Sequence, residues 1–153
     1  MKAVLVVEDL PDIRAWLVET AHIAFPGTEV VAAGRCREGI DALARQAFDV
    51  VLVDLELPDG SGVSVIRALR QQQPVAVPVV VTIHDDDEHL FPALQDVGFA
   101  GVQHRLVGVE AGDVDHARAA MAEVGQDAAR DRRRQRRLAV GNAPQLGHQV
   151  LTR

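Results

Sequence analysis

The sequence predicts an α/β protein built on a doubly wound, five-stranded parallel sheet, and two observations predict it. Wholly apolar runs such as Ala3–Val7 and Val50–Val53 suit strands covered on both faces, since a half-exposed strand would alternate apolar and polar residues. Segments with helical spacing separate these runs, so that strand and helix alternate about five times at the spacing of βαβ units.

The elements follow in order. Ala3–Val7 is the first strand, and Asp9-Leu10-Pro11-Asp12 opens a helix in which Ile13, Trp16, Leu17, Thr20, Ala21 and Ala24 recur at helical spacing. Pro26-Gly27 ends it. Val30–Ala33 is a second strand closed by Gly34, and Ile40, Leu43, Ala44 and Ala47 mark a second amphipathic helix. Val50–Val53 is a third, buried strand that ends on Asp54. Leu57-Pro58-Asp59-Gly60-Ser61-Gly62 is loop by composition, and Val65, Ile66 and Leu69 place the third helix. Val77 to Val81 is the fourth strand, with Pro78 near its start, where a missing donor is tolerated. Thr82-Ile83-His84-Asp85-Asp86-Asp87 reads as loop, followed by a helix to about Val97 whose first turn Pro92 kinks. Gly101–Gln103 is the expected fifth strand and Val114 to Val124 a weak fifth helix.

Composition narrows the class. A hydrophobic fraction of 48% with 25% charged residues is that of a globular chain, and 153 residues fit one ordinary domain. No apolar run approaches the roughly 20 residues of a bilayer-crossing helix, and no secretory segment is read at the N-terminus, so a cytoplasmic protein without membrane contact is expected. A lone Cys36 excludes disulfide and cysteine-rich zinc scaffolds and reads as a small packing or surface residue. The net charge of −6 is uneven: residues 1–105 hold 8 Lys/Arg against 16 Asp/Glu, residues 106–153 hold 8 against 6. All five aromatic residues precede residue 100, and a dense basic run spans Arg130 to Arg137. Residues 1–124 are therefore read as the folded domain and 125–153 as a basic, disordered or irregular tail.

In open parallel sheets ligands bind beyond the carboxyl ends of the strands, where strand order reverses. Acids stand there: Glu8 and Asp9 after the first strand and Asp54 after the third, with Thr82 after the fourth. In the flavodoxin-like order 2-1-3-4-5 the first and third strands are neighbours at that point, so the three acids converge. Like charges so placed repel unless a cation joins them, and Mg2+, a hard ion, suits oxygen ligands. Taken singly, each acid also fits a solvated strand end, and Asp9 ahead of Pro11 fits a helix cap. After the first strand there is no glycine, which argues against a dinucleotide fingerprint or a P-loop.

Three stretches resemble the receiver domain of bacterial two-component response regulators: Val4-Leu5-Val6-Val7-Glu8-Asp9, Asp49 through Gly62, and Pro78-Val79-Val80-Val81-Thr82. The likeness covers about residues 2–105 and looks like regulators with a helix-turn-helix output, a domain for which too little chain follows. It implies that Asp54 is the phosphoacceptor, served by a sensor histidine kinase, and that Glu8 and Asp9 form the acidic pocket. It also implies that Asp9, Asp54 and the backbone carbonyl of Glu56 hold Mg2+, and that Thr82 is the switch hydroxyl. A signalling module with slow self-dephosphorylation is implied rather than an enzyme. Two residues depart from the pattern: Arg105 replaces the family lysine and Val102 the family aromatic. Arg keeps the charge but brings a larger, planar group. A homodimer through the face of the fourth helix, fifth strand and fifth helix is a further expectation.

Two other readings stand beside this one. The first is a DNA-binding transcription regulator, truncated or acting through its basic tail or a partner, since Lys/Arg clusters bind phosphates without sequence preference. A small metal-dependent phosphohydrolase on the same fold is the second, although Glu56 stands where such enzymes carry their second Asp.

Overall fold

In the computed structural model, which describes residues 3–82, 105–108 and 119, β1 (Ala3–Val7) lies between β2 (Glu29–Ala33) and β3 (Val50–Val53), parallel to both. The helices α1 (Pro11–Ala24), α2 (Cys36–Arg45) and α3 (Gly62–Gln72) alternate with these strands. A two-residue ladder, β4 (Glu56–Leu57) against β5 (Gly60–Ser61), precedes α3. Beyond β3 come β6 (Val77–Thr82) and β7 (Arg105–Gly108), giving the sheet order β2-β1-β3-β6-β7, the doubly wound order expected.

The burial of β1 explains its composition. Successive side chains point to opposite faces. Ala3, Leu5 and Val7 join a cluster with Leu43, Val51, Val53, Val65, Ile66 and Leu69, on the side of α2 and α3. Val4 and Val6 join Leu17, Ala21, Phe25, Val50 and Leu52 on the side of α1. Both faces are therefore dry, and a polar residue anywhere in β1 would be buried. Each such Val or Leu contributes about 1.5–3 kcal/mol through burial. Cys36 belongs to the first cluster and is a packing residue.

Several boundaries differ from expectation for local reasons. α1 is capped by Leu10, which offers no side-chain bond, and begins with Pro11, whose missing N–H is one that a first helical turn leaves unpaired anyway. Asp9 is therefore no helix cap. The Thr28 N–H donates to the Phe25 carbonyl across Pro26-Gly27, and Gly27 takes the left-handed φ of 76° that this turn requires. α2 stops at Arg45, so Ala47 lies outside it, and Ala44 and Ala47 face solvent while Cys36, Gly39 and Leu43 are buried. The segment read as loop after Asp54 contains the β4–β5 ladder, turned by Pro58 and Asp59.

The fifth sheet strand is the main correction. It is Arg105–Gly108, later than the expected Gly101–Gln103, which falls outside the described residues. Its register sets Leu106 and Val107 beside Val80 and Val81. The expected fourth helix, Val102, the basic tail and all of the expected fifth helix but the helical Ala119 also lie outside the described residues.

Candidate functional site

The carboxyl ends of β1 and β3 sit side by side: Val7 pairs with Val53, and the Asp54 N–H donates to the Val7 carbonyl at 2.9 Å. This neighbour relation brings Glu8, Asp9 and Asp54 together, each offering a carboxylate oxygen within 4.8 Å of the others. No other group of three or more acids, histidines or cysteines among the described residues is so placed. Glu8 is buried, whereas Asp9 and Asp54 are half-buried and open to a ligand.

Burial pushes the Glu8 carboxyl up from 4.5 to about 7; the Leu10 N–H, donating to its Oε1 at 3.1 Å, opposes this, and the charges of Asp54 and Asp9 add to it. Asp54 is also raised, again first by burial, against donation from the Glu56 and Leu55 amides and with the charges of Asp9 and Glu56. Those two amides both reach Oδ1, at 2.7 Å from Leu55 and 3.4 Å from Glu56. Among the described residues Oδ2 accepts no hydrogen bond. Three oxygen donors crowded against their mutual repulsion are what a hard divalent cation relieves, so the residues fit Mg2+.

Thr82 ends β6, two residues beyond Val80, the partner of Val53, so its backbone reaches the same edge. Arg105 does not. It opens β7 beside Val79, itself level with Leu52, which leaves its backbone roughly 7 Å short of the edge at about 3.3 Å per residue. The later start of β7 is the reason.

Two structural supports escaped the sequence reading. Gly62 packs so closely that a Cβ there would overlap the Asp54 carbonyl, and its N–H donates to Leu55 at 3.0 Å. A glycine directly before the apolar positions of α3 was the available signal. Asp59 reaches across to α2, where its two carboxylate oxygens accept from the Cys36 and Arg37 amides at 2.7 and 3.0 Å. It supplies the cap that Arg35, at the N-terminus of α2, does not. The loop after the acceptor strand is thus tied to the neighbouring helix.

The sequence profile of the response regulator receiver domain matches residues 4–102. The chain belongs to the response regulator receiver family. This receiver is 36% identical over 113 residues to the response regulator GacA of Pseudomonas aeruginosa, a match covering 72% of this chain and 51% of GacA. It is 35% identical over 99 residues to the nitrate/nitrite response regulator NarP of Escherichia coli, covering 64% and 45%. The receiver spans about half or less of the length of such curated relatives. Among solved structures, the chemotaxis response regulator CheY4 of Vibrio cholerae superposes with a TM-score of 0.66 at 25% identity, over 81% of this chain and 98% of CheY4. The chain is thus a two-component receiver, and no helix among its described residues is long and apolar enough to cross a membrane.

Proposed function

We propose that this receiver accepts a phosphoryl group on Asp54 from the phosphohistidine of a sensor kinase, with Mg2+ held by Asp9, Asp54 and the backbone carbonyl of Glu56. The observation that supports this is the meeting of Glu8, Asp9 and Asp54 within 4.8 Å at the ends of adjacent strands. Asp54 is the nucleophile. The Leu55 and Glu56 amides fix Oδ1 and leave Oδ2 turned to attack. As the bond from Oδ2 to phosphorus forms, the bond to the histidine nitrogen breaks, and the imidazole leaves with the electron pair and takes up a proton. A divalent cation bound here neutralises the equatorial oxygens of the phosphoryl group. Water later attacks the phosphorus, returning the Asp54 carboxylate and inorganic phosphate slowly. Glu8 completes the acidic pocket, and its bond from the Leu10 N–H holds the turn that carries Asp9.

Thr82 is the proposed switch hydroxyl. Arg105 stands in the proposed switch in place of the family lysine, on a strand that opens two residues before the edge, and Val102 supplies no aromatic ring to follow the hydroxyl. Residues 1–124 are taken as the receiver and 125–153 as a basic tail, with homodimerisation through the face of the fourth helix, fifth strand and fifth helix. A second reading, regulation of transcription, is favoured by the Arg130 to Arg137 run, which salt-sensitive DNA binding by the purified chain would support.

Intact-mass spectrometry after incubation with Mg2+ and acetyl phosphate tests the principal reading. One added phosphoryl group is expected, dependent on Mg2+ and absent from Asp54→Asn. An adduct that persists in Asp54→Asn, or none in the wild type, would refute it.

A further inference from the structure

The turn that carries Glu8 and Asp9 has two locks of different kinds. One is the Glu8 carboxylate, whose Oε1 accepts from the Leu10 N–H at 3.1 Å. This lock uses a group of the acidic pocket itself, so it competes with whatever the pocket binds. The other is Arg14, one turn into α1, whose Nη1 donates to the Glu8 carbonyl at 2.8 Å and the Asp9 carbonyl at 3.0 Å. This second lock uses no pocket carboxylate. It grips two successive carbonyls from outside and leaves the acids free.

The fold makes room for that grip. Nη1 stands 3.0 Å from where a Cβ on Gly34 would be, so the guanidinium occupies space that any larger residue would contest. Gly34 is fixed in turn, its N–H donating to Glu38 Oε2 at 2.8 Å. The Arg14 N–H donates to the Leu10 carbonyl at 2.9 Å as part of the first helical turn, so the side chain starts from a rigid base. β2, α1 and the β1–α1 turn therefore meet at one guanidinium.

We propose that Arg14 is a positioning residue for the cation: by clamping the Glu8 and Asp9 carbonyls it holds the Asp9 carboxylate at the spacing from Asp54 that Mg2+ needs. The inference rests on the proposed reading of the acidic pocket. Residues that orient metal ligands from behind change affinity by about 10–100-fold when removed. Without the clamp the cation itself has to order the turn, and affinity falls by the cost of that ordering.

Calorimetric titration of the full chain with Mg2+ alone tests this, with no phosphodonor present. Arg14→Ala is expected to bind Mg2+ about tenfold more weakly. In the acetyl phosphate reaction its half-saturating Mg2+ concentration should rise by a similar factor while the rate at saturating Mg2+ stays within about twofold. Arg14→Lys, whose ammonium carries several protons, should recover part of the loss. Gly34→Ala, which crowds Arg14 without removing it, should give a smaller loss in the same direction. Thr20→Val is the control: it deletes the Thr20 hydroxyl bond to the Trp16 carbonyl (2.8 Å) in the same helix and should leave Mg2+ affinity unchanged. Should Arg14→Ala not fold, Arg14→Lys and Gly34→Ala carry the comparison. Wild-type affinity in the folded Arg14 variants, or an equal loss in Thr20→Val, would overturn the inference and leave the phosphoacceptor reading standing. A wild-type chain that takes up no Mg2+ would overturn both.

Discussion

Replacing Glu8 by Gln should stabilise the cation-free protein, and the gain should depend on pH. Gln keeps the shape and the acceptor for the Leu10 N–H but removes a buried charge beside two others. The Glu8 carboxyl sits at about 7 in the folded chain against 4.5 ordinarily, so folding favours its protonated form. Its contribution is fully favourable below 4.5 and is lost as pH rises through about 7. At about 1.4 kcal/mol for each tenfold change in proton affinity, the ionised form carries a penalty of about 3–4 kcal/mol. Water reaching the half-buried Asp9 and Asp54 screens part of this, which leaves about 2 kcal/mol. Asp54, raised in both proteins, cancels to first order in the difference between them. Urea unfolding at about pH 5 and about pH 8.5, in chelator, should show Glu8→Gln gaining about 2 kcal/mol on the wild type between the two. Mg2+ at saturation should narrow the gap, because the cation relieves the same repulsion. A difference that is constant with pH, or a variant less stable at the higher pH, would refute the reasoning.

Other substitutions test the supports around the pocket and the bracket that Gln73 forms at the opposite end of the sheet. Gly62→Ala places a methyl on the Asp54 carbonyl, and the backbone shift should cost about 3 kcal/mol in urea unfolding and slow phosphorylation; an unaltered midpoint would mean that the loop is not held as described. Gln73→Ala removes donors to the Leu43 and Gln46 carbonyls (2.8 and 2.7 Å) and the acceptor for the Phe48 N–H (2.7 Å). That loss should cost about 2–3 kcal/mol, and under about 0.5 would count against the bracket. Asp59→Ala should lower the melting temperature at neutral pH by uncapping α2. The Arg37 and Cys36 amides hold the Asp59 carboxyl below 3.8, so its contribution exists above that value and fades as pH falls through the lower folded one. A melting difference that persists unchanged in strong acid would contradict it.

Much of the pocket was legible because strand ends and acids coincide in this chain. The all-apolar Ala3–Val7 and Val50–Val53 could only be strands with both faces covered, and each is followed at once by its acids. The β4–β5 ladder was not legible. Two-residue pairings are held by the turn and by neighbours such as Asp59 rather than by any periodicity. The start of β7 was misplaced because short apolar pairs occur both before and after His104, and local pattern does not choose between registers.

By itself the sequence determined the layer order, the buried strands, the acids at their ends and the family. Those follow from local composition, since a run without polar side chains has one stable environment and a motif of consecutive residues needs no partner to be read. Only the tertiary structure decided which Asp54 oxygen is tied down, that Glu8 is held near neutrality, and that Arg14, Gly34, Asp59 and Gly62 brace the loops around them. These depend on contacts between residues far apart in the chain, where burial, crowding and hydrogen-bond geometry are properties of the assembled site rather than of any segment in it.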